Sequence, residues 1–221
     1  MDDSTPLLDV RTADKPRVPP GQVKTEKWPV LHYGGVPEVD LATWQFEVTG
    51  LVERPLSLTY DELRALPAQA TLCDVHCVTR WSRLDNRFDG VPAQALLRRA
   101  RPKPEARFVL VHAEQGFTTN LPIGDLDRAE NLLAWQHNGV DLSPEHGWPL
   151  RLVVPHLYFW KSAKWVRGFE LLEEDLPGFW EQNGYHMRGD PWREERYGGA
   201  HVDQRLINQY RNASKKRPPE G

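Results

Sequence analysis

Cysteine is scarce in this chain: Cys73 and Cys77 are the only two in 221 residues, and standing four apart they exclude a disulfide scaffold. No stretch approaches the ~20 consecutive apolar residues that a membrane-spanning helix needs, so no membrane span is expected. There is no glycine-rich dinucleotide loop and no phosphate-cradling P-loop. Cys73 and Cys77 with His76 lack the second Cys/His pair of a structural zinc site. A net charge of -3 gives no general reason to expect nucleic acid as a partner. The opening residues Met1-Asp-Asp-Ser-Thr-Pro carry acids where an export signal carries bases, and no apolar run or twin-arginine signal follows. A cytoplasmic protein is therefore expected.

The remaining composition suits a folded domain. With 39% hydrophobic and 27% charged residues, a chain of this length can bury a sizeable core as one compact unit. The Pro- and charge-rich residues 1–22 are expected to be flexible or draped on the surface, 23–211 to form the domain, and 212–221 to be a frayed basic tail. Alternation predicts strands over 44–49 and 56–58. Thr59-Tyr-Asp-Glu62 has capping-box spacing and predicts a helix over 60–66, stopped by Pro67. A second helix is expected over 92–100, with further strands over 70–75, 107–112, 117–121, 132–136, 150–154 and 165–172. Many short strands without regular strand-helix alternation indicate an α+β fold with a mixed sheet.

Two segments carry chemistry. Cys77 follows the strand over 70–75 and opens a polar segment that ends at Gly90-Val-Pro92. Its thiol can be a small buried hydrophobe, a nucleophile or a soft-metal ligand. As a hydrolytic nucleophile it would need a base such as His76 or His112, yet neighbours on a strand face opposite ways, which disfavours His76. The second segment runs from His146 to Phe169 without a single Asp or Glu, while Arg151, Lys161, Lys164 and Arg167 are cationic. Cations interleaved with Trp, Tyr and Phe suit a partly buried pocket for an anion attached to a flat ring system. A solvated basic face is the alternative. The chain also holds nine tryptophans, a residue that lines ligand pockets as well as cores. The acids Asp125, Asp127, Glu173, Glu174 and Asp175 show no carboxylate-pair logic and read as mostly solvated.

Taken together, these segments resemble the molybdopterin domain of the sulfite oxidase family, including its smaller bacterial members that reduce protein methionine sulfoxide. Cys77-Val-Thr-Arg-Trp81-Ser82 is similar to the metal-ligand loop, and His146-Gly-Trp-Pro-Leu-Arg151-Leu-Val-Val-Pro155 to the stretch whose His and Arg bind the pterin. Ser162-Ala-Lys164-Trp165 sits where the family has its cofactor-phosphate loop. Trp28-Pro-Val-Leu-His32-Tyr33 resembles the first cofactor-contacting loop, and Trp180-Glu-Gln-Asn-Gly-Tyr185 leads to the active-site tyrosine. The match runs from about Trp28 to Tyr197. The positions of the family's sulfite-pocket arginines fall near Trp81, Ser82 and Val30, and Arg80, Arg83, His32, His186 or Arg188 are candidates to replace that charge.

The resemblance implies a molybdenum–molybdopterin (Mo-MPT) oxidoreductase of the sulfite oxidase-like molybdopterin-binding fold. Cys77 would be the metal ligand, and Cys77 and Tyr185 would be catalytic. Trp28, Leu31, His32, Cys77, His146, Arg151, Lys161, Ser162, Ala163 and Lys164 would hold the cofactor. The expected reaction is oxygen-atom transfer on a small-molecule substrate, an S-oxide or N-oxide, with sulfite also open. Because the chain lacks a haem or iron–sulfur ligand set, electrons would pass to or from an external protein. A cysteine-dependent hydrolase and a non-catalytic pterin-binding protein are the other readings.

Overall fold

The protein is described here by a computed structural model covering residues 5–11 and 16–198. Twelve strands and four short α-helices occur among these residues. In chain order the strands are β1 (Leu7–Asp9), β2 (Val23–Lys24), β3 (Gln45–Gly50), β4 (Leu56–Thr59), β5 (Gln69–His76) and β6 (Trp81–Pro92). They continue with β7 (Phe108–Ala113), β8 (Thr118–Pro122), β9 (Leu132–His137), β10 (Val140–Asp141), β11 (Arg151–Val153) and β12 (Val166–Leu172). The helices are α1 (Tyr60–Arg64), α2 (Ala93–Ala100), α3 (Ile123–Leu126) and α4 (Phe179–Gln182). One sheet runs β1-β5-β6-β9-β10, with β2 on β6 and β11 on β9; the other runs β4-β3-β12-β7-β8. Parallel pairs (β1/β5, β2/β6, β3/β12) stand beside antiparallel ones, which is the expected mixed α+β arrangement.

A single buried cluster joins the sheets, with Val91, Leu133 and Leu152 from the first meeting Phe46, Val111 and Phe169 from the second. Burying such side chains is the main stabilising term, roughly 1.5–3 kcal/mol for each. The capping box forms as its spacing predicts: Thr59 Oγ1 accepts from Glu62 N, and Glu62 accepts from Thr59 N at 2.9 Å. No helix among the described residues is long and apolar enough to cross a membrane.

The polar segment after Cys77 shows no strand pattern in its apolar residues, yet β6 extends through it for twelve residues. Its period-two signal lies in charges: Arg83, Asp85, Arg87 and Asp89 alternate with Ser82, Leu84, Asn86 and Phe88. Gly90 carries the strand past β9, because a Cβ there would stand 2.2 Å from the Leu133 carbonyl oxygen. In the N-terminal segment Leu7–Asp9 pair in parallel with Ala70–Leu72, so β1 covers the edge of β5. Arg11 and Arg17 reach Asp85 at 2.6 and 2.7 Å, and Arg17 also pairs with Asp74 at 2.6 Å, which fixes the segment against β5 and β6. The tail expected over 212–221 and the domain end at 211 lie outside the described residues.

Candidate functional site

Residues 28–33, 77–81, 114–117, 151–165 and 179–185 contribute to the wall of one cleft of about 570 Å³. Cys77 enters it from the end of β5 on a tight turn. Cys77 N donates to Trp81 O at 2.8 Å, Arg80 N donates to Cys77 O at 3.0 Å, and Arg80 takes φ 72° to close the turn. Cys77 is 8% exposed, and its sulfur lies 3.1 Å from Thr79 Oγ1, within a cluster of Val78, Tyr158 and Trp160. Burial pushes the thiol up, while the Thr79 hydroxyl and the Arg196 charge pull the other way. Cys73 is fully buried in a separate cluster with Val75 and Phe88, away from the cleft.

An aromatic wall stands beside Cys77. Tyr185 stacks on Trp180 with centroids 5.0 Å apart and meets Trp160 edge-on at 5.1 Å. Burial raises the Tyr185 phenol, with Tyr197 and Cys77 adding to the effect, so it stays a protonated donor at neutral pH. Phe179 extends the wall to Tyr33, at 4.5 Å. On the first loop, Trp28, Leu31 and His32 all line the cleft, with His32 edge-on to Trp165 at 5.5 Å.

Cations gather around Trp28 and Phe159. Arg151 is 1% exposed, donates to His146 O and Ser162 O at 2.9 and 3.0 Å, and lies over the Phe159 ring at 4.3 Å. It has no carboxylate partner among the described residues, and its Nε is buried there without any hydrogen bond. Burial pushes its pKa down to about 9. Lys164 donates to Glu145 O at 2.6 Å and is pushed down to about 7, by burial first and by Arg151 second. Gly147 (φ 111°) lets the two approach, since a Cβ there would sit 3.0 Å from that of Arg151 and 3.1 Å from that of Lys164. Ser162 and Ala163 close this end. A buried guanidinium with a free donor and no acid is the arrangement an anion completes, and it fits a phosphate-bearing cofactor.

Two expected contacts fall elsewhere. Lys161 does not face the cleft: fully buried, it lies 2.6 Å from Glu181 and donates to Asn120 O, Asn120 Oδ1 and Met187 O. Its donors are spent on the protein, because the partner carboxylate comes from α4, twenty residues on. Glu181 also accepts from Trp160 Nε1 at 2.8 Å, so this ion pair braces the aromatic wall from behind. His146 is not on the wall either, its ring lying against Trp28 at 4.0 Å with His137 on the same indole at 4.2 Å. Burial holds both imidazoles below their ordinary value, His137 at about 3, so Trp28 is oriented by neutral rings.

Of the candidates for substitute charge, His32 alone lines the cleft. Arg83 is taken by Asn86 and His137, and Arg188 by Asp125 at 2.7 Å; that Asp125 is itself buried, contrary to its reading as a solvated acid. The bases a cysteine hydrolase would use are engaged elsewhere, His76 with Ser82 Oγ at 2.9 Å and His112 with Glu170 at 2.8 Å. No cluster of three or more His, Cys, Asp or Glu suited to a metal occurs among the described residues. Sequence reasoning missed Thr79 and the 114–117 loop on the wall, and Arg196, 6% exposed, which donates to Val78 O at 2.7 Å.

The family model of the oxidoreductase molybdopterin binding domain matches residues 33–180. An uncharacterized oxidoreductase of Bacillus subtilis, YuiH, is 53% identical over 182 residues, 82% of this chain and 92% of that protein. The protein-methionine-sulfoxide reductase catalytic subunit MsrP of Gluconobacter oxydans is 34% identical over 171 residues, 67% of this chain and 54% of its own length. In fold, the chain is similar to the sulfane dehydrogenase SoxCD of Paracoccus pantotrophus, with a TM-score of 0.61, 24% identity, and coverage of 69% of this chain and 43% of that one.

Proposed function

The chain belongs to the oxidoreductase molybdopterin binding domain family and is a molybdopterin-dependent oxidoreductase, and on that premise we propose that it transfers an oxygen atom to or from a neutral S-oxide or N-oxide, with Cys77 as the metal ligand. The supporting observation is the make-up of the cleft: Cys77 lies beside an aromatic wall, and the same cleft is lined by Arg151, a buried cation with no carboxylate partner among the described residues. When bound, the Mo-MPT cofactor supplies the two-electron redox chemistry of the transfer.

The residues have separate tasks in this reading. The Cys77 thiolate is a soft ligand suited to molybdenum. Arg151 and Lys164 hold the phosphate with backbone of Ser162 and Ala163, while Trp28, Leu31 and His32 pack the pterin. His146 acts through Trp28. Tyr185, protonated and at the wall, donates a hydrogen bond to oxygen as negative charge develops on it. A dianion such as sulfite would need paired cations on the Tyr185 side to offset its desolvation, whereas an apolar substrate body gains from the aromatic wall. An external protein supplies or removes electrons.

Metal analysis and the visible spectrum of freshly purified protein test the reading: near-stoichiometric molybdenum and a thiolate-to-metal band are expected, and their absence from active protein would overturn it. Tyr185→Phe is expected to lower kcat about tenfold to a thousandfold with unchanged cofactor content, as for a group acting mainly in the transition state. Assays with artificial donors and acceptors should give a higher kcat/KM for a sulfoxide or N-oxide than for sulfite. The reverse order would remove the substrate assignment.

Lys164 adds a pH signature. Its folded value of about 7 lies below the ordinary lysine value, so its charge is present below pH 7 and lost above it. Anion affinity should therefore fall by up to roughly tenfold per unit as pH rises past 7. Sulfate, whose charge is constant in this range, is the probe for calorimetry on cofactor-free protein. A flat profile in Lys164→Met and a falling one in the wild type are expected; a flat wild-type profile would exclude Lys164 from the anion site.

A further inference from the structure

Three stretches remote in sequence meet at the Cys77 turn, two of them by residues that do not line the cleft. Gln22 Nε2 donates to Cys77 O at 3.0 Å, and Val23 N donates to Arg80 O at 2.9 Å. Arg196 completes the set: Nη1 donates to Val78 O at 2.7 Å, Nη2 reaches Pro20 O at 3.4 Å, and the guanidinium lies over the Tyr158 ring at 5.0 Å. The crossing is tight, since a Cβ on Gly21 (φ 66°) would stand 2.6 Å from Glu194 Oε1 and 3.3 Å from Arg196 Nη2.

The charge of Arg196 is poorly matched by its carboxylate neighbour. Glu194 is 3.8 Å away with its side chain 50% exposed, and Arg196 Nε is buried without a partner. A guanidinium does not shed its proton, and a buried charge is unfavourable unless another charge or a set of hydrogen bonds offsets it. The thiolate that metal binding requires at Cys77, one residue from the carbonyl Arg196 grips, is such a charge.

We propose that Arg196 is a positioning residue for the metal ligand, pinning the Cys77 turn through the Val78 carbonyl and keeping a permanent positive charge behind the Cys77 sulfur. The proposal rests on the reading of Cys77 as the ligand. Pinning limits where the sulfur can sit, and outer contacts of this kind are commonly worth ten- to a hundredfold in affinity or activity. A nearby fixed cation favours the more negative, reduced state of a thiolate-ligated centre and so raises its reduction potential. Lysine supplies the charge from a single nitrogen and lacks the planar fork that reaches Val78 O and Pro20 O from separate nitrogens while lying over a ring, so the two contributions can be separated.

The test compares wild type, Arg196→Gln and Arg196→Lys as holoenzymes by redox titration and steady-state kinetics, and as cofactor-free proteins by hydrogen exchange of the peptide covering 77–81. In Arg196→Gln we expect a more negative midpoint, faster exchange over 77–81 with unchanged exchange over 108–113, and kcat lowered roughly ten- to a hundredfold at nearly constant KM. In Arg196→Lys the midpoint should return toward the wild-type value while exchange stays fast. Native exchange and a native midpoint in Arg196→Gln would overturn the proposal. Should that variant not accumulate, native exchange in Arg196→Lys would overturn the pinning by itself. A wild-type thiolate-to-metal band surviving in Cys77→Ser would instead remove the ligand reading beneath it.

Discussion

Replacing Cys77 with serine is expected to bring oxygen-atom transfer to the background rate while leaving the fold and much of the cofactor binding intact. A serine hydroxyl does not ionise near neutral pH and is a harder ligand than a thiolate, so the metal's redox properties change even if it stays in place. Arg151 and Lys164, the proposed phosphate-binding residues, lie on other segments and are untouched. Activity, molybdenum content, the visible thiolate-to-metal band and a thermal melt read the outcome together. Cys73→Ala is the control: its thiol is fully buried and pushed far up by burial, so it stays protonated, and its loss should lower stability by ~1 kcal/mol without affecting turnover. Full activity in Cys77→Ser, or loss of activity only in Cys73→Ala, would refute the ligand assignment.

Arg151→Ala should empty the cleft of cofactor. A hydrogen bond to a charged group is worth roughly 1.5–3 kcal/mol, or about ten- to a hundredfold in affinity. Arg151 combines such contacts with a full buried charge that has no carboxylate beside it among the described residues. Cofactor content per chain after purification is the readout, with exposed Arg193→Ala as the variant that should load normally. Normal loading in Arg151→Ala would place the anion elsewhere.

The parts of the site legible in the sequence were those whose chemistry is local. Cys77 at a strand end, the acid-free stretch holding Arg151 and Lys164, and Tyr185 after Trp180 all face one cleft. Where burial on both sides decided the outcome, pattern was silent. Lys161 stands in the same basic run as Lys164, and only the fold shows that Glu181 meets it in the interior. β6 escaped because its alternation is written in arginines and aspartates, and Arg11 and Arg17, which pair with its Asp85, come from an N-terminal stretch rich in proline and charge. Arg196 carried no local signal: its importance comes from the Val78 carbonyl, 118 positions earlier.

The cleft also constrains when it can come into being. Its wall draws on residues from Trp28 to Tyr185, and the brace behind Cys77 waits for Arg196. On the ribosome, a chain still lacking its last strand has Cys77 and Trp28 but neither the aromatic wall nor the brace. On the proposed reading, loading therefore waits until the chain has folded through Tyr185 and Arg196, the residues that complete the wall and the brace.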